Sequence, residues 1–220
     1  MIAEVKRASP SRGPIAPDLD AGAHAAAYRD GGAAAVSVLT EPSRFAGSLD
    51  DLAAVAALGV PALRKDFLVD VSQVWEARAA GAAAVLLIVA ALDDPTLASL
   101  LDATADAGLD ALVEVHDEEE LRRAVDAGAR IVGVNARDLR TFAIDHAAFA
   151  RLRPSFPDGV LAVAESGIST PAAVRGARDD GADAVLVGEH LVRARDPRAA
   201  VAELVRAGRS STVGPAIPPG

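Results

Sequence analysis

The stretch AGAAAVLLIV (80–89) decides the fold, because the chain repeats it. Versions of the same phrase stand at GGAAAVSVLT (31–40), AGLDALVEV (107–115), AGARIVGVN (127–135) and DGADAVLVGE (180–189). In each, a glycine that tolerates the left-handed region stops a helix a residue or two before a short run rich in Val, Leu and Ile. Apolar runs without polar alternation belong to strands buried on both faces, as in a parallel sheet covered by helices. The segments between them are alanine-rich and follow helical spacing. DEEELRRAVDAGA (117–129) opens with Asp117 as N-cap and Glu120 three residues on, the pattern of a capping box.

Working outward, three further strands fill the gaps near 2–6, 61–66 and 160–165, beside those at 34–39, 83–88, 110–115, 130–135 and 183–188. Eight strand–helix units in 220 residues predict an α/β fold, a (β/α)8 TIM barrel over residues 1–207, with an open doubly wound sheet as the competing arrangement. The end of the chain, RSSTVGPAIPPG (209–220), has no periodicity, so residues 208–220 are expected to form a mobile tail.

Composition narrows the function classes. The chain is 51% hydrophobic and 24% charged, as in a soluble globular protein. No apolar run reaches the roughly 18 uncharged residues of a membrane helix. The N-terminus opens on a strand pattern and not on a signal peptide. Cysteine is absent, which excludes disulfides, thiolate nucleophiles and thiolate metal sites and leaves a cytoplasmic location as the default. A net charge of −9 argues against nucleic acid as a partner, and any anionic ligand must be held by a local cationic cluster. His24, His116, His146 and His190 lack the spacing of a metal site, and only His116, two residues after Glu114, is expected near the site. Trp75 and Tyr28 fall in helical segments and read as packing residues.

In such a barrel the active site lies at the C-terminal ends of the strands. The chain opens MIAEVKRASPSRG (1–13), where strand alternation puts Ile2, Glu4 and Lys6 on one face. Inside a barrel, two such charges are costly unless they work. The other strand ends bring Lys65, Glu114, Asn135, Glu165 with Ser166, and Gly188 to the same mouth. A phosphate seat is expected in the loops after strands seven and eight. There SGISTPAAV (166–174) supplies Gly167, Ser169 or Thr170 as N-cap and Pro171 in the first turn, and GEHLV (188–192) starts a short helix. Gly167 and Gly188 let the backbone approach a ligand, and the Glu189 side chain is expected to turn outward.

The stretches IAEVKRASPSRG, SVLTEPSRFAGS, PALRKDF, VEVH, GVNARDL, AESGI and AVLVGE, spanning Ile2 to Glu189, together resemble the indole-3-glycerol phosphate synthase family of tryptophan biosynthesis. The resemblance implies a barrel without metal or organic cofactor. It implies a carboxy-lyase acting on 1-(2-carboxyphenylamino)-1-deoxyribulose 5-phosphate and yielding indole-3-glycerol phosphate, carbon dioxide and water. By the same resemblance Lys65 is the acid that protonates the carbonyl during ring closure, and Glu114 orients it or shuttles a proton. Lys6 binds the substrate carboxylate or serves as the acid in dehydration, and Glu4 holds Lys6 or acts as base. Asn135, Arg137, Glu165 and Ser166 position the substrate, Ser9 joins the phosphate side, and Phe45, Phe67, Leu86 and Leu139 are apolar candidates for the aromatic ring. The division of labour between Lys65 and Lys6 stays open.

Two departures stand out. Family members carry an extension ahead of the first strand, including a helix over the mouth, and Ala136 stands where asparagine is frequent. The alternative reading is therefore a weakly active or non-catalytic phosphate-binding barrel without its lid. Phosphoribosylanthranilate isomerase would need a catalytic cysteine, and a ribulose-phosphate epimerase a cluster of metal ligands. The expected partner is the small phosphorylated, carboxylated substrate alone, with no nucleic acid or membrane, on a monomer.

Overall fold

Each repeated phrase folds as one strand–helix unit whose ends are written into the sequence. The computed structural model describes residues 1–138 and 140–209. Its main strands are β1 (Ile2–Val5), β2 (Ala35–Leu39), β3 (Ala62–Lys65), β4 (Ala84–Ile88), β5 (Asp110–Val115), β6 (Ile131–Asn135), β7 (Leu161–Glu165) and β8 (Ala184–Val187). They alternate with α1 (Ala21–Asp30), α2 (Leu49–Ala56), α3 (Val71–Ala79), α4 (Asp94–Asp106), α5 (Glu118–Asp126), α6 (Ala148–Leu152), α7 (Pro171–Asp179) and α8 (Pro197–Arg209). Short helices at Pro42–Phe45 and Glu189–Val192 lie in the loops after β2 and β8, and a small hairpin joins Ala8–Ser9 to Gly13–Pro14 after β1.

The strands pair in parallel, and β1 pairs with both β2 (Ile2 with Ala35) and β8 (Ile2 with Leu186), which closes the barrel and excludes the open sheet. Side chains of Asp20, Ser48, Asp70, Asp93, Asp117 and Thr170 accept backbone N–H groups at their helix N-termini, each such cap contributing about 1 kcal/mol. At the other end, Gly81 (φ 85°) and Gly128 (φ 92°) take the left-handed turn that releases the chain into the next strand.

The capping box expected at α5 forms only in half. Asp117 accepts from Glu120 N–H at 2.9 Å, but the Glu120 carboxylate returns to the N–H of His116, one residue before the cap.

Alternation along the strands separates two cores. Residues such as Ala3, Val36, Val38, Val85, Leu87, Val113 and Val132 face the helices. Leu63, Leu86, Ile88, Leu112, Val163 and Leu186 fill the barrel itself. Tyr28 is fully buried between α1 and the barrel, and its hydroxyl reaches the Glu4 carbonyl at 3.4 Å. Trp75, by contrast, is 47% exposed on α3 and is not the packing residue its helical position suggested. Helix α8 runs two residues past the expected barrel boundary at 207, and the rest of the expected tail lies outside the described residues. Among the described residues no helix is long and apolar enough to cross a membrane.

Candidate active site

In a closed barrel, alternate strands contribute the four side chains of each interior layer. Below the mouth, the odd strands β1, β3, β5 and β7 supply Ile2, Leu63, Leu112 and Val163. Two residues further along the same strands, and so on the same inward face, stand Glu4, Lys65, Glu114 and Glu165. A layer normally filled by branched aliphatics is here three carboxyls and an ammonium. Lys65 Nζ occupies its centre, 3.8 Å from Glu4 Oε2, 3.8 Å from Glu114 Oε2 and 3.9 Å from Glu165 Oε2. The three glutamates are all at most 3% exposed.

Burial on this scale sets the charges. Burial alone would depress the Lys65 ammonium, but the carboxylates of Glu4, Glu114 and Glu165 outweigh it and hold the group above its ordinary value. The glutamates therefore win over any mutual lowering by Lys6 and Lys65. For Glu4, burial works against ionisation, yet Lys6, Lys65 and the hydroxyl of Ser37 hold the carboxyl below the usual range. Lys6 Nζ donates to Glu4 Oε1 at 2.6 Å. Glu165 goes the other way: burial and the adjacent Glu114 push it up to about 8, against the pull of Lys65, so it carries a proton at neutral pH.

The even strands supply the supports. Asn135 on β6 donates Nδ2 to Glu114 Oε1 at 3.0 Å, while its Oδ1 accepts from the Ser166 hydroxyl at 2.7 Å and from the Arg137 N–H at 3.0 Å. Gly133 on the same strand leaves the room Glu165 occupies, since a Cβ there would collide with Glu165 Oε1. Gly188 after β8 does the same for Glu4 and Lys6, with an added Cβ 2.5 Å from Glu4 Oε1 and 3.2 Å from Lys6 Nζ. Ser166 (φ 65°) and Gly167 (φ 73°) turn the backbone through the left-handed region at the end of β7, a costly conformation for a serine.

Above this layer opens a cavity of about 730 Å³. On the β2–β3 arc it is lined by Phe45 and Phe67, whose ring centroids are 6.4 Å apart, with Leu86 beyond them on β4. On the arc of β7, β8 and β1 it is lined by Ser9, Gly167, Gly188 and the arginines Arg12 and Arg193. The structure thus brings Glu4, Lys6, Ser9, Phe45, Lys65, Phe67, Leu86, Glu114, Asn135, Arg137, Glu165, Ser166, Gly167 and Gly188 to one cavity. Leu139 lies outside the described residues.

Two local expectations are corrected. Glu189 does not turn outward but lines the cavity, where Arg12 (3.7 Å) and Arg193 (3.3 Å) neutralise it. His146 and His190 line the cavity, whereas His116 stands behind Glu114, off its wall. Of the two cap candidates read from the sequence, Thr170 caps α7. Sequence reasoning passed over Arg12, Arg193, Ser37 and Gly133. Arg12 sat within the quoted opening stretch, and Gly133 interrupts an otherwise branched β6, which is the signal of a close approach.

A family model described as indole-3-glycerol phosphate synthase matches residues 1–204. The chain is 58% identical over 209 residues to the protein of that name from Mycolicibacterium smegmatis, covering 94% of this chain and 77% of the relative. It is also 58% identical over 214 residues to its counterpart from Kineococcus radiotolerans, covering 97% and 78%. Among solved structures, 3-hexulose-6-phosphate synthase from Salmonella typhimurium superposes with a TM-score of 0.75 at 18% identity, covering 94% of this chain and 97% of that one. N-acetylmannosamine-6-phosphate 2-epimerase from Clostridium perfringens gives 0.68 at 18% identity, covering 86% of each. At that identity the two structures share the barrel alone.

Proposed function

The chain belongs to the indole-3-glycerol phosphate synthase family, and from that premise we infer how its mouth divides the work of the reaction. The enzyme closes the five-membered ring of 1-(2-carboxyphenylamino)-1-deoxyribulose 5-phosphate and expels carbon dioxide and water to give indole-3-glycerol phosphate. The aromatic carbon bearing the carboxylate attacks the sugar carbonyl, whose oxygen takes up a proton. Loss of carbon dioxide restores the aromatic ring. A second proton then lets the hydroxyl leave as water while the neighbouring methylene gives one up. With the substrate carboxylate ionised, the sum takes up one proton per turnover.

Lys65 is the acid of ring closure. Its ammonium, held above its ordinary value, is protonated at neutral pH and passes a proton to the carbonyl oxygen as ring closure turns that oxygen into an alkoxide. Glu114, facing Lys65 across 3.8 Å and fixed by Asn135, orients the ammonium. Lys6, locked to Glu4, meets the substrate carboxylate. Phe45, Phe67 and Leu86 hold the aromatic ring, and Ser9, Gly167 and Gly188, with Arg12 and Arg193, take the phosphate. The cationic side chains give this acidic protein the local positive field its substrate needs. We read the enzyme as a cytoplasmic monomer.

The observation that carries this reading is the central ammonium within 4 Å of three buried carboxyl groups, open to a cavity with one aromatic and one cationic arc. Indole fluorescence appearing on addition of the substrate tests the activity directly. A folded chain that binds the substrate and produces no indole would overturn it.

A further inference from the structure

His116 follows β5 two residues after Glu114 and points back at it from outside the cavity. Its Nε2 is buried, has no hydrogen-bond partner among the described residues, and stands 3.6 Å from Glu114 Oε1. Its other ring nitrogen is fixed: Glu120 Oε2 lies 3.0 Å from Nδ1 and also accepts the His116 backbone N–H at 2.8 Å. A carboxylate that already accepts the backbone N–H takes a second donor, which assigns the proton to Nδ1. A neutral ring would then aim the Nε2 lone pair at Glu114, two acceptors face to face. A protonated ring aims an N–H at it instead.

We propose that His116 is a positioning residue for this reaction: anchored by Glu120, its imidazolium faces Glu114 and makes that carboxyl the anionic member of the Glu114–Glu165 pair. The proposal rests on the role assigned to Glu114 above. The charged groups around the ring are Glu114 from β5, and Glu120 and Asp117 from the start of α5; Lys65 and Glu165 lie beyond Glu114. Burial works against the imidazolium, but the Glu120 hydrogen bond and the charges of Glu114, Glu120 and Asp117 outweigh it and raise its titration above that of ordinary histidine. His116 on one side and Lys65 on the other flank Glu114, while the raised titration falls on Glu165. The half-formed capping box at α5 is the local price of this arrangement, since Glu120 serves the histidine and not the cap residue.

Two measurements on different variants test it. In an imidazole NMR titration, with the His116 signal assigned by its loss in His116→Gln, the isosteric Glu114→Gln should lower the His116 midpoint by about one unit or more. In the indole fluorescence assay, His116→Gln should leave KM within about twofold and move the acid limb of kcat to higher pH by about one unit, as expected when an opposite charge beside a carboxylate is lost. A purely structural role would lower kcat evenly across pH without moving the limb. A His116 midpoint indifferent to Glu114→Gln overturns the proposal. A coupled titration with an unmoved limb overturns it too, and does so by removing Glu114 from the reaction, not His116 from Glu114.

Discussion

Glu165 reaches into the barrel through the space that Gly133 leaves open. A Cβ built on Gly133 would collide with Glu165 Oε1 and lie 3.0 Å from its Cδ and 3.3 Å from Leu112 Cδ1, so the two residues exclude any side chain at 133 while Glu165 keeps its place. Gly133→Ala should therefore leave the barrel folded, because β6 stays paired on both sides, and should swing Glu165 away from Glu114 and Lys65. Turnover should fall by roughly 10-fold or more, the scale of a misplaced catalytic group. Steady-state kinetics beside circular dichroism check this, and full activity in the variant would remove Glu165 from the site.

The proton on Glu165 should be visible in stability. In the unfolded chain a glutamate titrates at about 4.3, and in the fold this one titrates at about 8. Between those values the folded state holds a proton that the unfolded state releases, so stability falls as pH rises through the window and the full cost is present above it. Glu165→Gln carries no such charge. The Tm of the variant should gain on the parent as pH rises from about 5 to about 9, and a difference constant with pH would contradict the assignment.

Arg64 is a buried cation on the outer face of β3, 4% exposed. Its guanidinium donates to the Gln73 carbonyl (2.6 Å), to Asp66 (3.2 Å) and to Glu76 (3.2 Å), tying the loop that carries Phe67 to α3. Arg64→Met leaves Asp66 with Thr40 alone as side-chain partner in this network. The expected loss is about 3–5 kcal/mol, read by denaturant unfolding, as for one partner removed from a buried ion pair. A change under about 1 kcal/mol would mean the network is not coupled to the fold.

Lys6 should act on binding before chemistry. Lys6→Met removes one charge-assisted contact to the substrate carboxylate, for which the expected loss is about 1.5–3 kcal/mol, or roughly 10- to 100-fold in KM. An unchanged KM with a collapsed kcat would move Lys6 from binding to the dehydration step.

Most of this architecture was legible because it is periodic. The repeated Gly-to-apolar phrase located most of the strands, and all eight barrel strands, β1 to β8, begin within one residue of their expected positions. Strand alternation put Glu4 and Lys6 on one face, and the strand ends brought Lys65, Glu114 and Glu165 to the same mouth. The registration of Glu4, Lys65, Glu114 and Glu165 into one layer was not legible, because layers depend on the stagger between strands. The direction of the Lys65 shift was hidden for the same reason: two lysines and three glutamates were legible near one mouth, but how closely Glu165 approaches depends on Gly133, three strands round the barrel from Lys65. Glu189, His146 and His190 were misjudged because loop side chains have no period to follow. Trp75 was misjudged because a helical position does not say which face meets the barrel.

The central claim is that Lys65, held charged by Glu4 and Glu114 beside a protonated Glu165, donates the proton of ring closure. Single-turnover indole fluorescence on Lys65→Ala measures it most directly, with circular dichroism and thermal unfolding as the check on the fold. The account predicts a folded barrel whose rate falls by roughly 10²-fold or more, within the range for removal of a general acid. A folded Lys65→Ala barrel turning over at close to the parent rate would contradict it.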